Sequence, residues 1–127
     1  MIVKRTERGW AGHYICADRC GFRRNTLIEY GDKKWVVSTV GNLRMFNNGK
    51  MVLEQVGHER YYETMAFVAK DDEYNDADVS QEITFESEWG LFGSSPEDFV
   101  KKYPLADNVA NDMHEKVVAE LMERIKE

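Results

Sequence analysis

The run Arg8-Gly-Trp10-Ala-Gly-His13-Tyr-Ile-Cys16-Ala-Asp-Arg19-Cys20-Gly-Phe22-Arg23-Arg24-Asn-Thr26 holds the densest chemistry in the chain. Guanidinium groups make bidentate contacts to phosphate, and aromatic faces stack on bases. Arg8, Trp10, His13, Arg19, Phe22, Arg23 and Arg24 therefore make a candidate phosphate- or nucleotide-binding patch. Gly9, Gly12 and Gly21 would let backbone N–H groups approach an anion, although the run has no Walker or dinucleotide fingerprint. The competing reading is that the arginines pair with carboxylates of the same molecule.

His13, Cys16 and Cys20 also offer imidazole and thiolate ligands for zinc, with His58 or His114 as a fourth. No second close Cys pair accompanies them, and cysteines also pack as small hydrophobes, so no metal is assigned. A Cys16 nucleophile with His13 as its base meets a geometric obstacle. On a strand, an odd separation puts the two on opposite sides. No catalytic residue and no cofactor is assigned on these grounds.

Charge is divided unevenly along the chain. Residues 1–60 carry a net of +5 and residues 61–127 a net of −11, giving −6 for the whole. Between Asp71 and Val100 there are ten acids and no Lys or Arg. Asp71, Asp72, Asp76, Asp78, Glu82, Glu86 and Glu88 form a candidate partner-binding acidic face, since such a row can imitate a nucleic-acid backbone and compete for a basic groove. The alternative is an ordinary solvated surface. The Asp71–Asp78 run lacks the Gly and the terminal Glu of an EF-hand loop.

These residues need elements to position them. The 127-residue length fits a single domain, 1–127, and 43% apolar residues with fifteen aromatics argue for a packed core. Gly31-Asp32 and Asn48-Gly49 predict two hairpins, joining Phe22–Tyr30 to Lys34–Val40 and Leu43–Phe46 to Met51–Val56. His13–Ala17, Tyr61–Ala69 and Glu82–Trp89 read as further strands, and Lys70–Val79 as a long loop. Ser95-Pro96-Glu97-Asp98 starts a short helix that stops near Tyr103. A second helix runs from about 107 to 125, its stripe being Val109, Met113, Val117, Leu121 and Ile125 with Val118 and Met122 beside it. The expected fold is α+β: a twisted, mostly antiparallel sheet of about five or six strands, with the C-terminal amphipathic helix packed on one face. With no apolar run of about 18–20 residues and no signal-peptide h-region, the chain reads as soluble and cytoplasmic, without membrane association.

The arginine-rich run, with Val37-Ser-Thr-Val-Gly41 and Arg60-Tyr-Tyr-Glu-Thr-Met-Ala-Phe67, resembles small accessory proteins of bacteriophages and prophages. The resemblance covers about residues 7–68 and part of the C-terminal helix, and it transfers no catalytic or binding residue. It implies a setting: stoichiometric action on host machinery or host defence, in the host cytoplasm. The expected function is that of a binder or inhibitor. It would either sequester a phosphate-containing nucleotide signal at the arginine-rich run, or block a nucleic-acid-binding defence protein through the acidic face. The alternative is a small enzyme acting on a nucleotide or phosphate substrate through His13, Cys16 and the arginines. Direct nucleic-acid binding is not expected, and self-association is left open.

Overall fold

The computed structural model describes residues 1–8, 20–54, 56, 61–84 and 106–127. The expected strand at 13–17 and the helix starting at Ser95 lie outside the described residues. Within them, the elements run β1 (Lys4–Glu7), β2 (Cys20–Tyr30), β3 (Lys33–Asn47), β4 (Lys50–Glu54), β5 (Tyr62–Ala69), β6 (Ala77–Ile83) and α1 (Ala106–Arg124). The sheet order is β1-β2-β3-β5-β6, all pairs antiparallel, and β4 pairs with the far end of β3. This is the expected α+β fold of six strands and a C-terminal helix.

Both hairpins form where the turn residues place them. Gly31 has φ 62° in a two-residue turn between the paired Tyr30 and Lys33. Glycine at the first turn position suits a type II′ turn. Asn48 and Gly49 both have positive φ, 53° and 78°, as a type I′ turn requires.

β3 is longer than expected, because Lys34–Val40 and Leu43–Phe46 belong to one strand. Its first part, Trp35–Gly41, pairs with β5, and its second part, Leu43–Asn47, pairs with β4. The change of partner falls on Asn42, whose φ of 55° is tolerated by a short polar side chain. Its N–H donates to the Tyr61 carbonyl at 3.2 Å. Next to it, Gly41 leaves room for an aromatic ring: a Cβ there would meet Tyr62 Cδ1 at 2.1 Å. Tyr62 is fully buried, meets the Phe22 ring edge-on at 6.0 Å, and donates from its hydroxyl to Asp107 Oδ1 at 2.6 Å. A missing side chain in β3 thus ties β5 to the start of α1.

Side chains alternate across a strand, so Phe22, Arg24, Thr26 and Ile28 share one face with Val37, Thr39, Tyr62, Thr64 and Ala66. α1 packs on that face with Ala110, Met113, His114, Val117, Val118, Leu121 and Ile125 buried. Ile28, Val37, Ala66 and Ile83 meet Val117, Val118, Leu121 and Ile125 at one end, and Tyr61 and Tyr62 meet Ala110 and Met113 at the other. The opposite face is buried too, at Asn25, Leu27, Val36, Ser38, Val40 and Phe67. Burial on both faces explains why Val36–Val40 reads as a continuous run.

Two further expectations change. Val109 is 39% exposed and Ala110 takes its place in the stripe. β6 begins at Ala77, inside the segment read as loop, which shortens the loop to 70–76. β1 was not visible in the sequence at all. Gly41→Ala should lower the free energy of unfolding in urea by about 2–3 kcal/mol, since the new methyl group displaces a buried, hydrogen-bonded ring; an unchanged midpoint would show that Tyr62 can move away freely.

Candidate functional site

Between the two apolar clusters lies a polar layer that no apolar pattern announces. His114 is fully buried in α1, with Nε2 at 2.7 Å from Thr26 Oγ1 and Nδ1 at 2.7 Å from Thr39 Oγ1. Thr39 Oγ1 is also 2.7 Å from Thr64 Oγ1, and Thr26 donates to Glu7 Oε2 at 2.8 Å. The donor inventory fixes the direction of this chain. A carboxylate only accepts, so the Thr26 proton goes to Glu7 and Thr26 must accept from His114 Nε2–H. With the imidazole kept neutral by burial, Nδ1 is unprotonated and accepts the Thr39 hydroxyl, which in turn accepts from Thr64. Four strands, β1, β2, β3 and β5, and the helix are joined in one hydrogen-bonded relay.

The relay ends in an ion-pair ladder. Arg24, with 16% of its side chain exposed, donates to Glu7 Oε2 at 2.6 Å, Glu115 Oε1 at 2.9 Å and Asn111 Oδ1 at 2.8 Å. Arg5 reaches Glu115 Oε2 at 2.8 Å. Hydrogen bonding from Arg5, against a burial penalty and with further help from Arg24, holds the Glu115 pKa at about 2. Burial raises the Glu7 pKa, but hydrogen bonds from Arg24 and Thr26 bring it below its ordinary value. Burial, reinforced by the charge of Arg24, lowers the His114 pKa to about 4. The ring is neutral and shielded at neutral pH, which suits a structural link and not a solvent-facing base.

Arg8, at the end of β1, performs a different task. Its Nε donates to buried Asn25 Oδ1 at 2.8 Å, and its Nη1 donates to the carbonyls of Tyr74 and Asn75, each at 2.7 Å. Lys34 Nζ holds the Asn75 side chain at 3.2 Å. Within the 70–76 loop, Asp72 Oδ1 accepts from the N–H of Tyr74 at 3.0 Å and of Asp76 at 3.4 Å, and Asn75 adopts φ 52°. Two cations from the basic half therefore fix the backbone of an acidic loop by its carbonyl and amide oxygens. Its carboxylates remain outside: Asp71, Asp72, Glu73 and Asp76 are exposed. Tyr74, 69% exposed, stands among them.

The candidate phosphate patch is not one surface within the described residues. Arg24 faces α1, Arg23 lies on the other face of β2, Phe22 packs on Tyr62, and Arg8 serves the loop. Trp10, His13 and Arg19 lie outside the described residues, as do Cys16 and His58. Of the acidic face, Asp71, Asp72, Asp76, Asp78 and Glu82 come together on the loop and β6, and Glu86 and Glu88 lie outside the described residues. Asp78 shapes a local turn, accepting from Ser80 N–H at 3.1 Å and from Gln81 Nε2 at 2.8 Å. Cys20 is buried beside Val40, Leu43 and Val56. Among the described residues, no group of three or more His, Cys, Asp and Glu could hold a metal ion. No helix among them is long and apolar enough to cross a membrane.

No protein-family model, curated protein or solved structure matches the chain. The reading of the site therefore stands on its own geometry.

Two outcomes follow from this geometry. Between pH 6.5 and about 4 the unfolded chain protonates this histidine and the folded chain does not, so stability falls as pH drops through that window, by up to about 3 kcal/mol. Glu7 and Glu115 contribute above their unfolded pKa, 4.5, and that contribution fades only below it. The urea midpoint should therefore decline more steeply between pH 6.5 and 4.5 in the wild type than in His114→Gln; equal slopes would mean that the imidazole is not held neutral. Arg8→Ala should speed amide hydrogen exchange across residues 70–76 by tenfold or more, because bonds from a charged donor contribute about 1.5–3 kcal/mol. Exchange in α1 should stay unchanged.

Proposed function

We propose that this chain is a non-enzymatic binding protein that docks its acidic β5–β6 region on a positively charged, nucleic-acid-binding groove of a host defence protein. The observation that carries this reading is exposed Tyr74 beside Asp71, Asp72, Glu73 and Asp76 on a loop held by Arg8 at its backbone carbonyls and by Lys34 at the Asn75 side chain. An exposed tyrosine is a common energetic anchor of interfaces, and the carboxylates around it stand in for phosphates. A loop held in shape before binding loses less conformational entropy on docking. β6 extends the same surface with exposed Glu82 and with Val79, 62% exposed.

The other readings gain less support. A nucleotide held by the arginine-rich run would compete with the internal partners of Arg8 and Arg24. For the enzyme reading, His13 and Cys16 lie outside the described residues, and Arg8 and Arg24 serve internal partners. The phage-type setting rests on the sequence runs within residues 7–68 and supplies the class of partner.

The test is protection of phage in a bacterial host that carries either a defined nuclease-based defence or a defined nucleotide-signalling defence. Glu73→Lys, Asp76→Lys and Glu82→Lys together spare Asp72 and Asp78, whose carboxylates shape turns. The wild type should protect against the nuclease-based defence and the triple variant should not, with equal thermal stability of the two purified proteins. Binding to the target should weaken steeply as salt rises from about 0.05 to 0.3 M, where screening shortens the field to within about 10 Å. Full protection by the triple variant would reduce the acidic region to a solvated surface.

A further inference from the structure

At the opposite end of β3 from the β3–β4 hairpin, the β2–β3 turn and the end of β5 enclose a cleft of about 710 Å³. That volume lies within the range of about 300–1,000 Å³ typical of small-molecule sites. Half-buried Trp35 and Val68 contribute apolar lining, and Lys70, Asp32 and Asp71 contribute charge. Lys33 lines it as well, but its ammonium is engaged with the carbonyls of Glu127 at 2.7 Å and Ile125 at 3.4 Å, at the C-terminal end of the helix. Lys34, next to Trp35 on β3, points to the opposite face, where its ammonium bonds Asn75. Lys70 is exposed, and after the hydrogen bonds from Ser80 and Gln81 its charge also helps to lower the pKa of Asp78.

An indole, an exposed ammonium group and two carboxylates recognise different parts of one kind of molecule. We propose that this cleft binds a small anion carrying a flat aromatic ring, of the nucleoside monophosphate class. The ring stacks on the accessible part of Trp35, the phosphate meets Lys70, and sugar hydroxyls donate to Asp32 or Asp71. The site is separate from the arginine-rich run; it shares Asp71 with the docking surface, but Glu73, Asp76 and Glu82, which the docking test reverses, do not line it.

Calorimetry of the full chain with AMP, UMP, adenosine and inorganic phosphate tests it. AMP and UMP should bind saturably, and adenosine or phosphate alone should bind at least tenfold more weakly. Lys70→Ala, at an exposed position that should leave the fold intact, should weaken AMP fivefold or more. The indole N–H resonance of Trp35, assigned with Trp35→Phe, should shift on addition of AMP. Absence of saturable heat with both nucleotides, phosphate binding as tightly as AMP, an unaffected Lys70→Ala, or a Trp35 resonance that stays still would each overturn the proposal.

Discussion

The hydrogen-bonded chain through His114 is the constraint on which the rest of this structure depends. An apolar stripe repeating every four residues could slide along the sheet by about 6 Å and find comparable apolar contacts. The polar layer removes that freedom. A slide would strand the imidazole, Thr26, Thr39 and Thr64 in the interior, and each unsatisfied group costs about 1–3 kcal/mol. We read the layer as the device that sets the register of α1 against β2, β3 and β5. Tyr62 bonded to Asp107 fixes one end of the helix, and Lys33 on the terminal carbonyls fixes the other.

Register in turn decides where the charge goes. With His114 in place, Glu115 falls between Arg5 and Arg24, and the ladder to Glu7 closes over the rim of the buried layer. The basic N-terminal half thereby spends much of its charge on internal partners: Arg5 and Arg24 on carboxylates, Arg8 on loop carbonyls. Much of what is left in solvent is the acidity of the β5–β6 region. The uneven charge of the chain is thus partly a record of folding contacts and partly a surface, and the surface is the part that supports a functional reading.

The sequence made the local features legible and left the long-range ones unread. Gly31-Asp32 and Asn48-Gly49 declare their hairpins because turn chemistry is decided within four residues. The stripe of α1 is equally local. β1 could not be read, because Lys4-Arg-Thr-Glu7 shows no alternation of apolar residues and is held by pairing to β2 and by the ladder across α1. The joining of two strands at Asn42 depends on β5 and β4 exchanging places beside β3. The start of β6 depends on a register shift opposite Phe67 and Val68. His114 lies inside the helical stripe, where its residue type alone suggests a metal ligand; its task comes from threonines that only strand pairing brings into line. Sequence alone does not choose between a ligand and internal carboxylates for the arginines, and the clamp that shapes the acidic loop comes from Arg8 and Lys34, remote in sequence.

The tautomer and charge of His114 test this account most directly. In a long-range ¹⁵N–¹H correlation spectrum near neutral pH, His114 should show a protonated Nε2 and an unprotonated Nδ1, and these signals should persist unchanged until the pH approaches about 4. A ring that titrates near 6.5, or one that carries its proton on Nδ1, would contradict the directed chain from Thr64 to Glu7 and with it the proposed basis of the helix register.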